Sequence, residues 1–190
     1  LMDVDGDGAL ELAVLGPDQW GAAARTEDGW DRLRHFRKVP TIPLDDPNVR
    51  WIDLDGDGRP DIVLTEQEAF VWWPSEGSDG FGDPRRIRRV LDERDGPTLL
   101  FASADESVFL ADMSGDGLTD LVRIRNGRVS YWPNLGHARF GAQIVLGNVP
   151  VFDTPDRFDP ARIRLVDTDG TGPTDVLYVG PDGVRWWTNL

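Results

Sequence analysis

The sequence has no cysteine and only two histidines, His35 and His137, among its 190 residues. Disulfides and cysteine-ligated zinc sites are therefore excluded, and the redox state of the compartment is left open. The two histidines are far apart in the sequence, and no nucleophile, base and orienting group stand out as a set. We therefore predict that the chain is not an enzyme.

Long apolar stretches are also missing. No run of about 18 apolar residues is present, and no charged segment followed by an apolar one resembles a signal peptide. These absences predict that the chain has no membrane span. The sequence opens inside a motif, so we expect a segment of a longer protein, whose targeting signals could lie elsewhere.

Positive charge is scarce. The chain carries 34 acidic and 20 basic residues, for a formal net charge of -14. Because phosphate contacts need a basic surface, this balance argues against nucleic acid as a partner.

Aspartate and glycine are abundant by contrast, and they recur in a nine-residue motif. Its four copies are DVDGDGALE at 3–11, DLDGDGRPD at 53–61, DMSGDGLTD at 112–120 and DTDGTGPTD at 167–175. The copies start 50, 59 and 55 residues apart, and an apolar segment follows each one directly. An aromatic pair comes eleven and twelve residues after the last three copies, at 72–73, 131–132 and 186–187, where the first repeat has alanines. Loops that keep this register define a true structural repeat.

Each repeat has the content of a β-propeller blade. A turn signal such as Asn126-Gly127 separates two strand-like segments, and further short strands precede the loop and follow a downstream Phe-Gly pair. We predict an all-β fold, an arc of about four four-stranded antiparallel blades that is part of a larger ring. The repeats are placed at about 1–47, 48–106, 107–161 and 162–190, with the first and last incomplete.

The loops present oxygen atoms in the spacing that a calcium ion needs. Positions 1, 3, 5 and 9 offer side-chain oxygens, position 7 offers a backbone carbonyl, and glycines at 4 and 6 permit a tight turn. The predicted side-chain ligands are Asp3, Asp5, Asp7 and Glu11; Asp53, Asp55, Asp57 and Asp61; Asp112, Ser114, Asp116 and Asp120; and Asp167, Asp169, Thr171 and Asp175. The predicted carbonyl ligands belong to Ala9, Arg59, Leu118 and Pro173.

Two other interpretations of the loops are open to test. An EF-hand would need a bidentate glutamate at position 12, but the residues there are Val14, Leu64, Arg123 and Tyr178. Simple aspartate-glycine turns would hydrogen-bond only to their own backbone. The charge distribution favours metal binding, because the loops hold 14 of the 34 acidic residues and the other 20 balance the 20 basic ones. We predict up to four structural Ca²⁺ ions.

The loop, its following strand and the Phe-Gly pair resemble the FG-GAP or VCBS repeats of integrin-type propellers. The segment ADMSGDGLTDLVRIRNGRVSYWPNLGHARFG at 111–141 resembles the propeller region of the B component of insecticidal Tc toxin complexes and of SpvB-type virulence proteins. This resemblance implies a secreted bacterial toxin subunit. Its propeller would dock on the channel-forming component and gate a shell that holds the toxin-carrying component, with catalysis located elsewhere.

A second function class is an extracellular adhesion or glycan-binding module built from the same blades. The aromatic pairs could present rings to a glycan, although we expect them to fill the space between neighbouring blades. A propeller glycosidase ranks last, because it would need paired carboxylates outside the calcium loops.

Overall fold

The computed structural model describes residues 1–102, 107–147, 149 and 151–189. The chain divides into two compact units, Leu1–Arg88 and Arg89–Leu190. The predicted repeat boundary at residue 106 lies outside the described residues. Apart from two 3₁₀ turns at Gly77–Asp79 and Pro160–Arg162, the regular structure of the described residues consists of β-strands. None of the described helices is long and apolar enough to cross a membrane.

The first unit contains three antiparallel sheets. One has the order β1 (Leu12–Gly16), β2 (Gln19–Ala23), β5 (Arg34–His35), and a small hairpin pairs β3 (Arg25–Thr26) with β4 (Gly29–Trp30). The third sheet has four strands, in the order β6 (Val49–Ile52), β7 (Asp61–Thr65), β8 (Ala69–Trp73), β9 (Arg85–Arg88).

The second unit contains two antiparallel sheets in its described part. The four-stranded sheet has the order β10 (Ser107–Ala111), β11 (Asp120–Arg125), β12 (Arg128–Trp132), β13 (Ile144–Val145). The three-stranded sheet has the order β14 (Ile163–Val166), β15 (Asp175–Gly180), β16 (Gly183–Trp187). Apart from the pairing of β2 with β5, the neighbouring strands of each sheet are consecutive in the sequence, as in propeller blades, so the predicted all-β blade fold is confirmed.

Two-residue turns fix the register of the central hairpins. Arg125 pairs with Arg128 across Asn126-Gly127, and Gly127 has a φ of +80°, the backbone conformation that such a turn requires. Because side chains alternate between the two faces of a strand, this register decides which residues enter the core.

Each unit has its own apolar core. In the first unit Phe81 lies at the centre, with edge-on ring contacts to Trp20, Phe36 and Trp51 at centroid distances of 5.6 to 6.1 Å. In the second unit Phe152 makes ring contacts with three aromatic residues, Phe158, Tyr178 and Trp187. Both cores collect residues from two sheets.

The aromatic pairs after the second and third loops are buried, as expected for residues that fill space. Trp72 is 1% exposed and Trp132 is fully buried, and the guanidinium groups of Arg85 and Arg123 lie over their rings. In the last pair, Trp187 packs on the second core while Trp186 is 64% exposed.

Candidate metal centres

The acidic loops lie at the same place in each sheet. The second, third and fourth loops connect β6 to β7, β10 to β11 and β14 to β15, and the first loop directly precedes β1. Each connected strand pair stays in register up to the loop, as Ile52 pairs with Asp61 and Ala111 with Asp120. The ends of two paired strands therefore hold each loop in place.

The first aspartate of every loop organises its backbone. In the second loop one carboxylate oxygen of Asp53 accepts the amide N–H of Gly56 at 2.7 Å, and the other accepts that of Gly58 at 2.9 Å. Asp3, Asp112 and Asp167 accept the equivalent pairs of glycine amides. Glycines at positions 4 and 6 all have positive φ values, a conformation that costs other residues energy.

The fifth position closes the outer part of the loop. Asp7, Asp57 and Asp116 each accept the amide N–H two residues further on, at 2.7 to 2.9 Å. The fourth loop has Thr171 at this position, and there the carboxylate of Asp169 accepts the Thr171 amide at 3.1 Å.

The ninth position is a buried clamp. Asp61 is fully buried, and it accepts the amide N–H of Leu54 within the loop and that of Ser75 at the end of the next hairpin, at 3.0 and 2.7 Å. Asp120 and Asp175 repeat this arrangement with Asn134 and Asn189. The carboxylate thus joins the loop to the third strand of the same sheet.

The residues that donate to the ninth-position carboxylates also pair with the Phe-Gly segments. Ser75 forms an isolated bridge with Phe81, and Asn134 forms the equivalent bridge with Phe140. The glycine that follows each phenylalanine donates to the carbonyl of Pro74 or Pro133, at 2.8 Å in both cases. The sequence features that define the repeat are therefore physically connected.

The first loop departs from this pattern. Its ninth residue is Glu11, which is 8% exposed and accepts the amide N–H of Val4 at 2.7 Å. The residue at the place of Ser75 is Arg25, which begins the small β3–β4 hairpin. Within the described residues, no second backbone amide donates to the Glu11 carboxylate.

The carboxylates at the ninth position have shifted pKa values, raised for Asp61 and Asp120 and lowered for Asp175. Burial raises the pKa of Asp61 to about 7, although the Ser75 and Leu54 amides act in the opposite direction. Burial also raises the pKa of Asp120. For Asp175 burial acts in the same direction, but hydrogen bonds from Thr168 and Asn189 outweigh it and the pKa lies below its usual value. A bound cation would lower all three pKa values.

In each of three loops, three carboxylates lie close enough together to bind one ion. Within each group, one oxygen per residue lies within 4.8 Å of the others. The groups are Asp3, Asp5 and Glu11; Asp53, Asp55 and Asp57; and Asp167, Asp169 and Asp175. Calcium–oxygen distances of about 2.3 to 2.6 Å place two ligands of one ion at most about 5 Å apart, so these groups fit a calcium ion.

The structure does not gather every predicted ligand. Asp7 lies outside the first group and Asp61 outside the second. The third loop has a serine at position 3, and Ser114 Oγ lies 3.4 Å from a carboxylate oxygen of Asp112. No group of three acids forms there among the described residues. All the ligand assignments stay predictions, including those of Ser114, Thr171 and the carbonyls of Ala9, Arg59, Leu118 and Pro173.

One residue has a role that the sequence did not indicate. The guanidinium of Arg59 pairs with the Asp57 carboxylate through Nη2 and through Nε, the latter at 3.0 Å. The motif predicts only that the backbone carbonyl of Arg59 is a ligand. A cation at position 7 of an acidic loop was the available signal.

Neighbouring loops touch within each unit. A methyl group at Gly6 would lie 3.1 Å from Cγ of Arg59, and one at Gly115 would lie 2.9 Å from Cδ of Pro173. In the second unit the amide of Thr174 also donates to the carbonyl of Asp112 at 2.8 Å. Glycine at position 4 therefore makes room for the next loop as well as for the turn.

Comparison with known proteins agrees with this geometry. The FG-GAP-like repeat family matches residues 3–64 and 53–122, and the chain belongs to this family. No curated protein matches the sequence.

Solved structures place the fold among toxin-complex subunits. The chain is 31% identical to a chain in a structure of the Photorhabdus luminescens Tc holotoxin pore, with a TM-score of 0.85. The match covers 100% of this chain and 8% of that one. A crystal structure of TcdB2-TccC3 matches with 25% identity and a TM-score of 0.58, over 100% of this chain and 9% of the other. The expected resemblance to the FG-GAP propeller region of a Tc B component is confirmed.

A lectin shares the fold. A lectin from Agrocybe aegerita, solved for its specific recognition of non-reducing terminal N-acetylglucosamine, is 23% identical with a TM-score of 0.67. The match covers 100% of this chain and 48% of the lectin. At this identity the likeness concerns the fold alone.

Proposed function

We propose that the chain is a calcium-stabilised, non-catalytic β-propeller segment of a secreted bacterial toxin-complex B subunit. In this role it docks on the channel-forming component and helps to gate the shell that holds the toxin-carrying component. The observation that carries the proposal is the 31% identity to the Photorhabdus luminescens holotoxin chain across all 190 residues. This chain spans only 8% of the length of that relative.

Calcium would have a structural task in such a segment. The carboxylates of Asp53, Asp55 and Asp57 converge within 4.8 Å, and they repel one another unless a cation lies between them. The same loop is tied through Asp61 to the end of its sheet. An ion bound there would stiffen the connection between strands and preserve the shape of a docking surface.

A chimaera tests the docking proposal. The 190 residues would replace the matching segment of the Photorhabdus B subunit, and the purified chimaera would be assayed for retention of the toxin-carrying component and for binding to the channel-forming component. We expect both activities in calcium. A chimaera that retains the toxin-carrying component but does not bind the channel would contradict the docking role.

The second candidate function, glycan binding, is tested with the same 190-residue chain. Its support is the fold shared with the lectin. Selective binding to immobilised glycans, together with failure of the chimaera on the channel component, would favour the lectin function over the proposed one.

A further inference from the structure

The second loop contains its own cation. Arg59 holds both oxygens of the Asp57 carboxylate: its backbone amide donates to Oδ1 at 2.9 Å, and its guanidinium donates to Oδ2 through Nε at 3.0 Å. The Arg59 and Asp57 side chains are 32% and 28% exposed. Hydrogen bonds between two charged groups, such as guanidinium and carboxylate, are roughly twice as strong as hydrogen bonds between neutral ones.

The side chain of Arg59 runs beside two glycines. A methyl group added to Gly6 would lie 3.1 Å from its Cγ, and one added to Gly77 would lie 3.7 Å from its Nη1. The hydrogen bond with Asp57, followed by the charges of Asp57, Asp55 and Asp61, raises the pKa of Arg59. The guanidinium therefore interacts with the same carboxylates that would hold a divalent ion.

This arrangement is confined to the second loop. Position 7 is Ala9 in the first loop, Leu118 in the third and Pro173 in the fourth, none of which carries a charge. The second loop also has a carboxylate at each of its four side-chain positions, so its charge count alone would predict strong calcium binding.

We propose that Arg59 is a resident cation of the second loop that competes with calcium for Asp57. The loop then binds calcium more weakly than its four carboxylates predict, and it stays partly neutralised when calcium is absent. This inference rests on the proposed calcium sites and adds a residue that sets their relative affinity.

The test compares Arg59→Gln with a matched control in the 190-residue chain. Glutamine keeps the Cγ methylene group that lies beside Gly6 but removes the charge. The control is Arg86→Gln. Arg86 pairs with Glu66 at an N–O distance of 2.6 Å, and Glu66 follows β7 at the end away from the loop. Arg59→Leu, which reproduces the residue of the third loop, is a second variant should glutamine disturb folding.

Two readouts separate the roles. In calorimetric titrations, Arg59→Gln should tighten one class of calcium sites by about tenfold, since one unit charge leaves the vicinity of the ion. The gain should shrink in high salt. In chelator, Arg59→Gln should melt at a lower temperature than the parent because the loop loses its counter-charge, and calcium should then raise its melting temperature by more than in the parent.

The outcomes are distinct. Equal calcium affinities and equal calcium-induced shifts in Arg59→Gln, Arg59→Leu and Arg86→Gln would overturn the competition by Arg59 while leaving the calcium sites standing. Absence of calcium binding in the parent and in every variant would overturn the calcium sites, and the inference with them.

Discussion

At the scale of single residues, the ninth loop position explains why a short acidic motif can support a whole sheet. Asp120 is fully buried, and its carboxylate accepts amide N–H groups from Met113, Ser114 and Asn134. Asp116, in the same loop, is exposed and accepts the amide of Leu118. Both are predicted ligands, but only Asp120 connects the loop to β12.

This difference predicts unequal costs of substitution. In chelator, Asp120→Ala should lower the free energy of unfolding by about 3 kcal/mol or more, because it leaves several buried amides without an acceptor. Asp116→Ala should cost only about 1 kcal/mol, since the amide of Leu118, which loses its acceptor, can hydrogen-bond to water instead. Urea denaturation of both variants measures the difference, and equal losses would show that the clamp does not act as described.

Alanine should be tolerated less well at position 4 of the third loop than at position 6. Gly115 and Gly117 have φ values of +75° and +88°, so alanine at either costs about 1 to 2 kcal/mol of backbone strain. Only at Gly115 would the added methyl group lie 2.9 Å from Pro173, whereas nothing lies within 4 Å of it at Gly117. Gly115→Ala should therefore be the more destabilising, by roughly a further 1 to 3 kcal/mol in urea denaturation. A larger loss for Gly117→Ala would contradict the packing between loops.

Spacing alone predicts much of the site but not its final geometry. Asp53, Asp55 and Asp57 converge as the repeated motif indicates. The position of Asp61 depends on the amide of Ser75, 14 residues away, and the pairing of Arg59 with Asp57 depends on a side-chain conformation. Neither is encoded in a nine-residue pattern.

At the scale of structural elements, an ion pair anchors the segment before β10 to the sheet. Arg123 on β11 is 4% exposed, its Nη1 lies 2.8 Å from a carboxylate oxygen of Glu93, and its guanidinium lies over the Trp132 ring. The indole Nε1 of Trp132 donates to the Glu93 carbonyl at 2.7 Å. A buried guanidinium left without its carboxylate would be costly.

The ion pair predicts a pH dependence. The hydrogen bond from Arg123 lowers the pKa of Glu93, so the pair stabilises the fold above the unfolded-state value of about 4.3 and this contribution is lost as pH falls through the folded pKa. Glu93→Gln should lower the melting temperature at pH 7, and the difference from the parent should disappear as pH falls through the lowered pKa of Glu93. The exposed Glu68, changed to Gln, is the control. A constant difference at every pH would mean that charge is not the cause.

The central hairpins were predictable, and the outer strands less so. Turns such as Asn126-Gly127 fix two-residue connections that the structure confirms. The outer strands expected after the Phe-Gly pairs are present but short, at Arg85–Arg88 and Ile144–Val145, because edge strands have a partner on one side only. The β3–β4 hairpin was not predicted, since two strands of two residues each carry no periodic signal.

At the scale of the whole molecule, charge and fold have a common origin in the repeat. The four loops hold 14 of the 34 acidic residues and one basic residue, Arg59, so the rest of the chain, with 20 acidic and 19 basic residues, is close to neutral. Each unit contains two of these loops in mutual contact. A molecule built this way should depend on divalent ions for part of its stability. Composition alone does not predict this dependence, because exposed acidic turns also occur without metal.

The most direct test is the melting temperature of the 190-residue chain in chelator, in calcium and in magnesium. We predict that calcium raises it well above the value in chelator, with about 2.7 kcal/mol per site when calcium is a hundred times its dissociation constant, and that magnesium has a smaller effect. An identical melting temperature in all three conditions, with no heat of calcium binding, would contradict the account.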